Sequence, residues 1–219
     1  MHTTHARAWL WSILLQTSSA VLGWSQSGPL ENPPVISVLT YNYAKVSAGL
    51  LARAKAEASR AFRRVGIQAK LPDCPGPASE AREYPACHAG TPSTLLVVTI
   101  IPRTMAVRGL DSPLELGAAL LDNPHPFASY AYVFFERVKR RAEIKNCDPA
   151  ILLGYAMAHE VGHLLLGKDA HSSQGIMSPA WSKKELDQAQ KGELNFTPAQ
   201  VEKMRNQIAR RTLLATATK

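Results

Sequence analysis

The segment from Pro149 to Leu166 constrains the fold most, because it is a nearly continuous apolar run of helical length. Asp148 before Pro149 is a typical helix start, with a capping side chain followed by proline in the first turn. Gly167 marks the expected end. Within this run, among leucines that predict burial, lie three polar residues that must find partners inside the protein: His159, Glu160 and His163.

The spacing of the two histidines predicts a metal site. Residues four apart on a helix are offset by only about 40° and one turn, so His159 and His163 can bind one ion. Glu160, beside the first histidine, can reach a water on that ion without being a ligand itself, as in metal-assisted hydrolysis. We therefore predict one catalytic Zn²⁺ with Glu160 as the general base. The alternative interpretation is a pair of core histidines satisfied by hydrogen bonds.

A catalytic zinc ion takes three protein ligands and keeps one position open for water. His171 is the favoured third ligand, because the helix breaks at Gly167 and the chain can then turn back toward the ion. Asp169 competes with it for this role. A glutamate beyond the turn, Glu185 or Glu193, is a less favoured alternative.

Residues 158–179 resemble the metzincin zinc peptidases, whose helix ends at a glycine before the third ligand. The closest local likeness is to matrixins, because His171 and Ser172 lead to a Gly175-Ile176-Met177 turn. The segment is also similar to uncharacterised exported bacterial proteins with the same Gly-His-Leu-Leu-Leu-Gly and Gly-Ile-Met elements. In the metzincin motif the glycine and third ligand would fall at Leu166 and Asp169, so both are displaced here.

This resemblance implies a zincin-like fold, in which Met177 lies in a Met-turn beneath the metal. A core methionine that only fills space is the alternative interpretation of Met177. The resemblance also implies a peptide or protein substrate.

Hydrophobic periodicity predicts an α+β fold with one twisted mixed sheet, the site helix and C-terminal helices. The chain between Arg103 and Ser129 is rich in proline and glycine and is predicted to be mostly loop, with a short helical turn near Leu114–Leu121. The predicted strands are Val35–Tyr43, Ile67–Leu71, Thr94–Ile101 and Tyr130–Phe135. The predicted helices are Ala44–Val65, Glu136–Lys145, Pro149–Leu166, Ser182–Lys191 and one from Thr197 that frays after Thr212.

Residues 1–25 have the order of a secretory signal: a basic start, a short apolar run and small residues before a cleavage point. Cleavage can follow Ala20 or Ser25, and Ser25 is slightly favoured. A retained membrane anchor is the alternative, but the run is short for a bilayer and contains polar residues. We predict one domain over residues 26–219, secreted or periplasmic after cleavage. No later segment is long and apolar enough to span a membrane.

The three cysteines suit an exported protein if one pair closes. Cys74 and Cys87 flank a polar loop that a disulfide would order, which leaves Cys147 as a buried free thiol. Pairing of Cys147 with either of the others stays open. Two further histidines, His88 and His125, lie in proline-rich loops and are interpreted as surface residues.

With 46% hydrophobic and 19% charged residues, the chain can bury a core, which excludes a disordered protein. The net charge of +8 favours acidic partners or an anionic surface, but no motif indicates nucleic-acid binding. The main hypothesis is an exported zinc endopeptidase. The second is a zincin-fold protein in which zinc has a structural or binding role without turnover.

Overall fold

The computed structural model describes residues 32–76, 83–87, 95–102, 115–121 and 129–217. The predictions for the signal segment 1–25, for His88 and for His125 lie outside these residues. Within them, no helix is both long and apolar enough to cross a membrane.

The fold is built on a mixed six-stranded sheet with the order β2-β1-β4-β6-β5, and β3 pairs with β1 beyond the end of β2. All pairings are parallel except that of the edge strand β5 with β6, which is antiparallel. This mixed sheet with its helices confirms the predicted α+β class. The strands are β1 Val35–Asn42, β2 Gln68–Lys70, β3 Asp73–Cys74, β4 Leu95–Ile101, β5 Gly117–Leu120 and β6 Tyr130–Phe134.

Strand β4 lies between β1 and β6, as its continuous apolar run predicted. Alternate side chains point to opposite faces. Leu96, Val98 and Ile100 are fully buried in the main core, whereas Val97 lies in a smaller cluster on the other face with Leu39 and the two bonded cysteines. The central strands are therefore covered on both faces.

The α-helices of the described residues are α1 Ala48–Arg64, α2 Phe135–Lys145, α3 Pro149–Leu166, α4 Lys183–Lys191 and α5 Pro198–Ala217. Helix α3 packs against α1 at Gly154, where a Cβ atom would lie 2.5 Å from the backbone oxygen of Ala54. The missing side chain lets the two helix backbones approach closely. This contact sets the depth at which α3 lies in the core.

Three predictions are corrected. The helical turn expected near Leu114–Leu121 is wrong, because Gly117–Leu120 is a strand. The last helix does not fray after Thr212 but continues to Ala217. Cys147 is only half-buried rather than buried, and its thiol accepts a weak hydrogen bond from Gln190. The Cys74–Cys87 disulfide is present as predicted, and Cys147 is the free cysteine.

Candidate metal centre

Helix α3 is anchored at both ends. The side chain of Asp148 accepts a hydrogen bond from the Ala150 N–H at 2.8 Å and forms an ion pair with Arg53. At the other end, Gly167 has φ +88°, and its N–H donates to the carbonyl of His163 at 2.9 Å. Such caps satisfy end groups that the helix leaves unpaired. The site residues thus lie on a helix whose ends are well defined.

The three histidines that the sequence singled out converge. The Nε2 atom of His163 lies 3.1 Å from Nε2 of His159 and 3.1 Å from Nε2 of His171. All three potential ligand atoms lie within 4.8 Å of one another. Among the described residues, this is the group of histidine, cysteine and acidic side chains that could hold a metal ion.

Hydrogen bonding and burial prepare these imidazoles as ligands. His159 Nδ1 lies 2.7 Å from the carbonyl oxygen of Ile176, so this nitrogen carries the proton and donates, and Nε2 keeps its lone pair. Burial lowers the pKa of His159 to about 4 and the pKa of His163 to about 3, with neighbouring histidines contributing. Both rings are therefore neutral near pH 7, the state that binds a metal.

The spacing fits zinc. With Zn–N bonds of 2.0–2.1 Å and tetrahedral angles, two ligand nitrogens should be about 3.4 Å apart. The two measured separations of 3.1 Å are close to that value. Three imidazoles whose Nε2 atoms converge are a typical donor set for a zinc ion with one open position. The residues present therefore fit zinc.

The segment after α3 brings His171, and not Asp169, to the other two histidines. The side-chain nitrogen of Gln200 on α5 donates to the Ala170 carbonyl and to the Ser172 hydroxyl, both at 3.1 Å, and so holds the chain on either side of His171. Asp169 is exposed and outside the cluster. Glu185 instead accepts from Ser182 in the capping box of α4, and Glu193 is exposed.

The Gly175-Ile176-Met177 segment forms a tight turn beneath the histidines. Gly175 has φ +81°, and a Cβ atom there would lie 2.4 Å from the backbone oxygen of Asn195. The N–H of Ile176 donates to that same oxygen at 3.0 Å. Met177 is fully buried, and its Sδ would lie 2.4 Å from a Cβ atom at Gly162 of α3. The turn therefore packs directly on the site helix.

Trp181 supports the same turn and was not predicted. Its indole N–H donates to the Ile176 carbonyl at 3.1 Å, the oxygen that also accepts from His159. Its ring meets the ring of His159 edge-on, with centroids 6.0 Å apart. One carbonyl oxygen thus orients both the histidine and the tryptophan beside it.

Glu160 is buried, with only 4% of its surface exposed. Burial raises the pKa of Glu160 well above its ordinary value, and the nearby carboxylate of Glu115 adds to this effect. Its side chain packs against Gly117 on β5, where a Cβ atom would lie 2.6 Å from the Glu160 carboxyl oxygen and 2.5 Å from the Tyr132 carbonyl oxygen. Gly117 therefore leaves the space that Glu160 occupies.

The histidines and Glu160 line an open cleft of about 270 Å³. One wall is β5 with the residues before and after it, and the other is α3 with the segment after Met177. The sequence analysis predicted neither the β5 wall nor the cation Arg141 in the lining, because neither carries a motif. The lining residues outside α3 include Glu115, Gly117, Ala119, Arg141, Pro179 and Trp181.

Comparisons with known proteins give a structural similarity only. A scan against protein-family models finds no matching family, and no curated protein matches the chain. Among solved structures, archaemetzincin from Methanopyrus kandleri shares 13% identity at a TM-score of 0.49, over 83% of this chain and 100% of that one. Metalloproteinase-II from Bacteroides fragilis shares 13% identity at a TM-score of 0.42, over 82% of this chain and 55% of that one.

This chain thus spans about half the length of the Bacteroides protein. The metal centre itself is assigned from the geometry of its three histidines.

Proposed function

We propose that this protein is an exported zinc-dependent endopeptidase. One observation carries the proposal: three imidazole Nε2 atoms converge beside the buried carboxyl group of Glu160, on the wall of an open cleft. A metal site with three protein ligands, an adjacent acid or base and room for a substrate has the composition of a hydrolytic centre.

His159, His163 and His171 would hold the zinc ion. When bound, zinc supplies a Lewis acid that polarises a carbonyl group and makes water acidic enough to react near neutral pH. Glu160 accepts the proton of the attacking water and passes it to the nitrogen of the leaving amine. Its buried position favours this role, since a carboxyl group that takes up protons readily can act as both base and acid.

The edge strand β5 supports a peptide substrate. It pairs with β6 on one side, and no described strand pairs with the other side. Gly117, Ala118 and Ala119 of β5 line the cleft. The free N–H and C=O groups of an edge strand can pair with an extended peptide, which would then lie across the histidines.

A purely structural zinc site is less consistent with this arrangement. Structural zinc sites are usually closed by four protein ligands, whereas the described residues supply three. A structural site also has no use for a buried carboxyl group beside the ion. The open position and Glu160 both favour catalysis.

Export is the second part of the proposal. The signal-like order of residues 1–25 supports it, as does the Cys74–Cys87 disulfide, since disulfides persist mainly in oxidising compartments. We propose cleavage near Ser25 and a secreted or periplasmic location. Intact-mass measurement of protein recovered outside the cytoplasm tests this, and a chain that still starts at Met1 contradicts it.

The hydrolytic assignment is tested by metal analysis combined with one substitution. We expect about one zinc ion per chain, with peptide hydrolysis lost on chelation and restored by zinc. Glu160→Gln should retain zinc and lower kcat by a factor of about 100 to 10,000, the usual contribution of a general base. The exposed Glu193→Gln is the matched control and should behave as the wild type. A Glu160→Gln variant of full activity contradicts the assignment.

A further inference from the structure

Arg141 of α2 is a cation in the cleft that the zinc chemistry does not use. It is half-buried and lines the cleft together with Ala156, His159 and Glu160 of α3. Within the described part of the chain, no residue forms a hydrogen bond or an ion pair with its guanidinium group. Arg141 therefore lines the cleft with no partner for its guanidinium group among the described residues.

The other arginines of α2 are placed differently. The guanidinium of Arg137 lies over the ring of Phe134, 4.2 Å from its centroid, and donates to the backbone oxygen of Glu115 at 3.1 Å. Arg140 is exposed and does not line the cleft. Arg137 thus holds the chain that enters β5, Arg140 faces solvent, and Arg141 alone among these three combines partial burial with open donors.

The connection of α2 to α3 explains how Arg141 reaches the site. Arg141 precedes the turn at Asp148 by seven residues, and Ala156 follows it by eight, so the two lie at similar distances from the turn and both line the cleft. Ala156 is one helical turn, about 4.5 Å, before His159. An extended peptide rises about 3.3 Å per residue. Arg141 and His159 line one cleft, so an extended peptide bound across the histidines can also contact Arg141.

No acidic side chain of the described residues forms an ion pair with Arg141. Glu115 also lines the cleft, but no ion pair joins Glu115 to Arg141 within the described residues. A guanidinium removed from water without a partner is unfavourable, and it matches a carboxylate through two parallel hydrogen bonds. The missing partner is then best supplied by the substrate.

We propose that Arg141 determines specificity by binding a carboxylate of the peptide substrate near the scissile bond. This inference rests on the proposed peptidase function. The carboxylate can be an aspartate or glutamate side chain, or the α-carboxylate at a peptide C-terminus. In either case Arg141 contacts the substrate without taking part in bond cleavage.

The test uses the zinc-loaded protein and peptides that differ by one group. Blocked peptides carry Glu or Gln at each of two positions on either side of the scissile bond, and a second pair has a free or an amidated C-terminus. Cleavage is measured as kcat/KM, and binding is measured separately to the zinc-loaded Glu160→Gln protein. The variants are Arg141→Gln, Arg141→Lys and Arg141→Glu, with Arg140→Gln as the control of equal charge change on the same helix.

We expect the wild type to prefer one carboxylate peptide over its neutral partner by about tenfold or more, the range of a charge-assisted hydrogen bond. Arg141→Gln should remove this preference, Arg141→Lys should keep part of it, and Arg141→Glu should favour a lysine at the same position. Arg140→Gln should leave it unchanged. The peptide pair that shows the effect identifies the side chain or the C-terminus as the source.

The inference is overturned if Glu and Gln peptides bind and react equally, or if Arg140→Gln removes the preference as Arg141→Gln does. Failure of the proposed function is a separate result: no peptide is cleaved, while zinc and peptide still bind. In that case the binding measurements decide, since a carboxylate preference lost in Arg141→Gln supports the inference and equal binding overturns it.

Discussion

The two sides of the histidine cluster differ in where their residues come from. Beneath the cluster, the Ile176 carbonyl, Met177 and Gly162 all belong to a stretch of about twenty residues that includes the ligands. On the cleft side, Glu160 packs against Gly117 of β5, more than forty residues earlier in the chain. The proposed metal-holding side is therefore local in sequence, whereas the proposed substrate side depends on assembly of the sheet.

Each side has a glycine at its tightest contact. Gly162 admits the sulfur of Met177, and Gly117 admits the carboxyl group of Glu160. If the comparison is right, an added methyl group at Gly117 should harm catalysis, whereas one at Gly162 should harm stability. Substitution at these two positions can separate the two sides.

Among the changes that separate the two sides, Gly117→Ala is expected to have the largest effect. The new Cβ atom would lie 2.5 Å from the Tyr132 carbonyl oxygen and 2.6 Å from the Glu160 carboxyl group, so Glu160 must move. A displacement of about 1 Å at a catalytic group can lower the rate about 100-fold. We therefore expect kcat to fall by about that factor with zinc content unchanged, measured by peptide hydrolysis and metal analysis.

The control for this prediction is Leu120→Ala on the same strand, at an exposed side chain outside the cleft lining. It should keep wild-type kcat. A Gly117→Ala protein with full activity would show that β5 does not position Glu160.

A smaller effect, on stability, is expected for Gly162→Ala. The added methyl group would lie 2.4 Å from Met177 Sδ and 3.2 Å from a ring carbon of Phe196 in a fully packed core. Overpacking of this kind costs about 1–3 kcal/mol of unfolding free energy. Denaturant unfolding measures it, and combining the change with Met177→Ala should give less than the sum of the two losses.

Gly49→Ala in the first turn of α1 is the matched control, because no atom lies within 4 Å of its new Cβ position. It should leave stability unchanged or raise it slightly. Equal stability of Gly162→Ala and the wild type would contradict the close packing of the turn on α3.

The smallest expected effect is on how the folding stability of the metal-free protein depends on pH. The two histidines and Glu160 should contribute with opposite signs. Burial lowers the pKa of His159 and His163 from 6.5 to about 4 and about 3, so the unfolded chain binds more protons below pH 6.5. Stability from this source falls as the pH falls from 6.5 toward 3. The raised pKa of Glu160 has the opposite effect, because the folded protein holds this proton more tightly than the unfolded chain does. The stability from this source is lost as the pH rises above about 4.5.

Thermal unfolding of the metal-free protein across this pH range tests the signs. Glu160→Gln should raise the Tm at pH 7 to 8 relative to the wild type, and it should leave the acid-side loss in place. The control Glu193→Gln, at an exposed position, should change neither the Tm at pH 7 to 8 nor the loss of stability at acid pH. Parallel Tm profiles for the wild type and Glu160→Gln would show that the buried carboxyl group carries no such cost.

The features that the sequence predicted well depend on short-range chemistry. The start of α3 was visible in Asp148-Pro149, and at α5 the Thr197 and Gln200 side chains form a reciprocal cap over three residues. The approach of His159 to His163 follows from helix geometry alone. In each case the interacting groups are separated by four residues or fewer.

The features that the sequence missed need partners that are remote in the chain. Strand β5 has the sequence Gly-Ala-Ala-Leu, with no β-branched residue and no alternation of polar and apolar residues, so only pairing with β6 makes it a strand. Arg141 is one of several cations in the segment of α2, and no signal in the sequence distinguishes it from Arg140. Its place in the cleft follows from how α2 packs beside α3.

The amino-acid sequence by itself determined the helix, its ends and the two imidazoles on one of its sides, because hydrogen bonding and side-chain period act over a single turn. Tertiary structure alone decided that His171 and not Asp169 completes the cluster, that Gly117 makes room for Glu160, and that Arg141 faces the cleft. These outcomes depend on distances between elements far apart in the chain, and such distances are set by packing of the whole core.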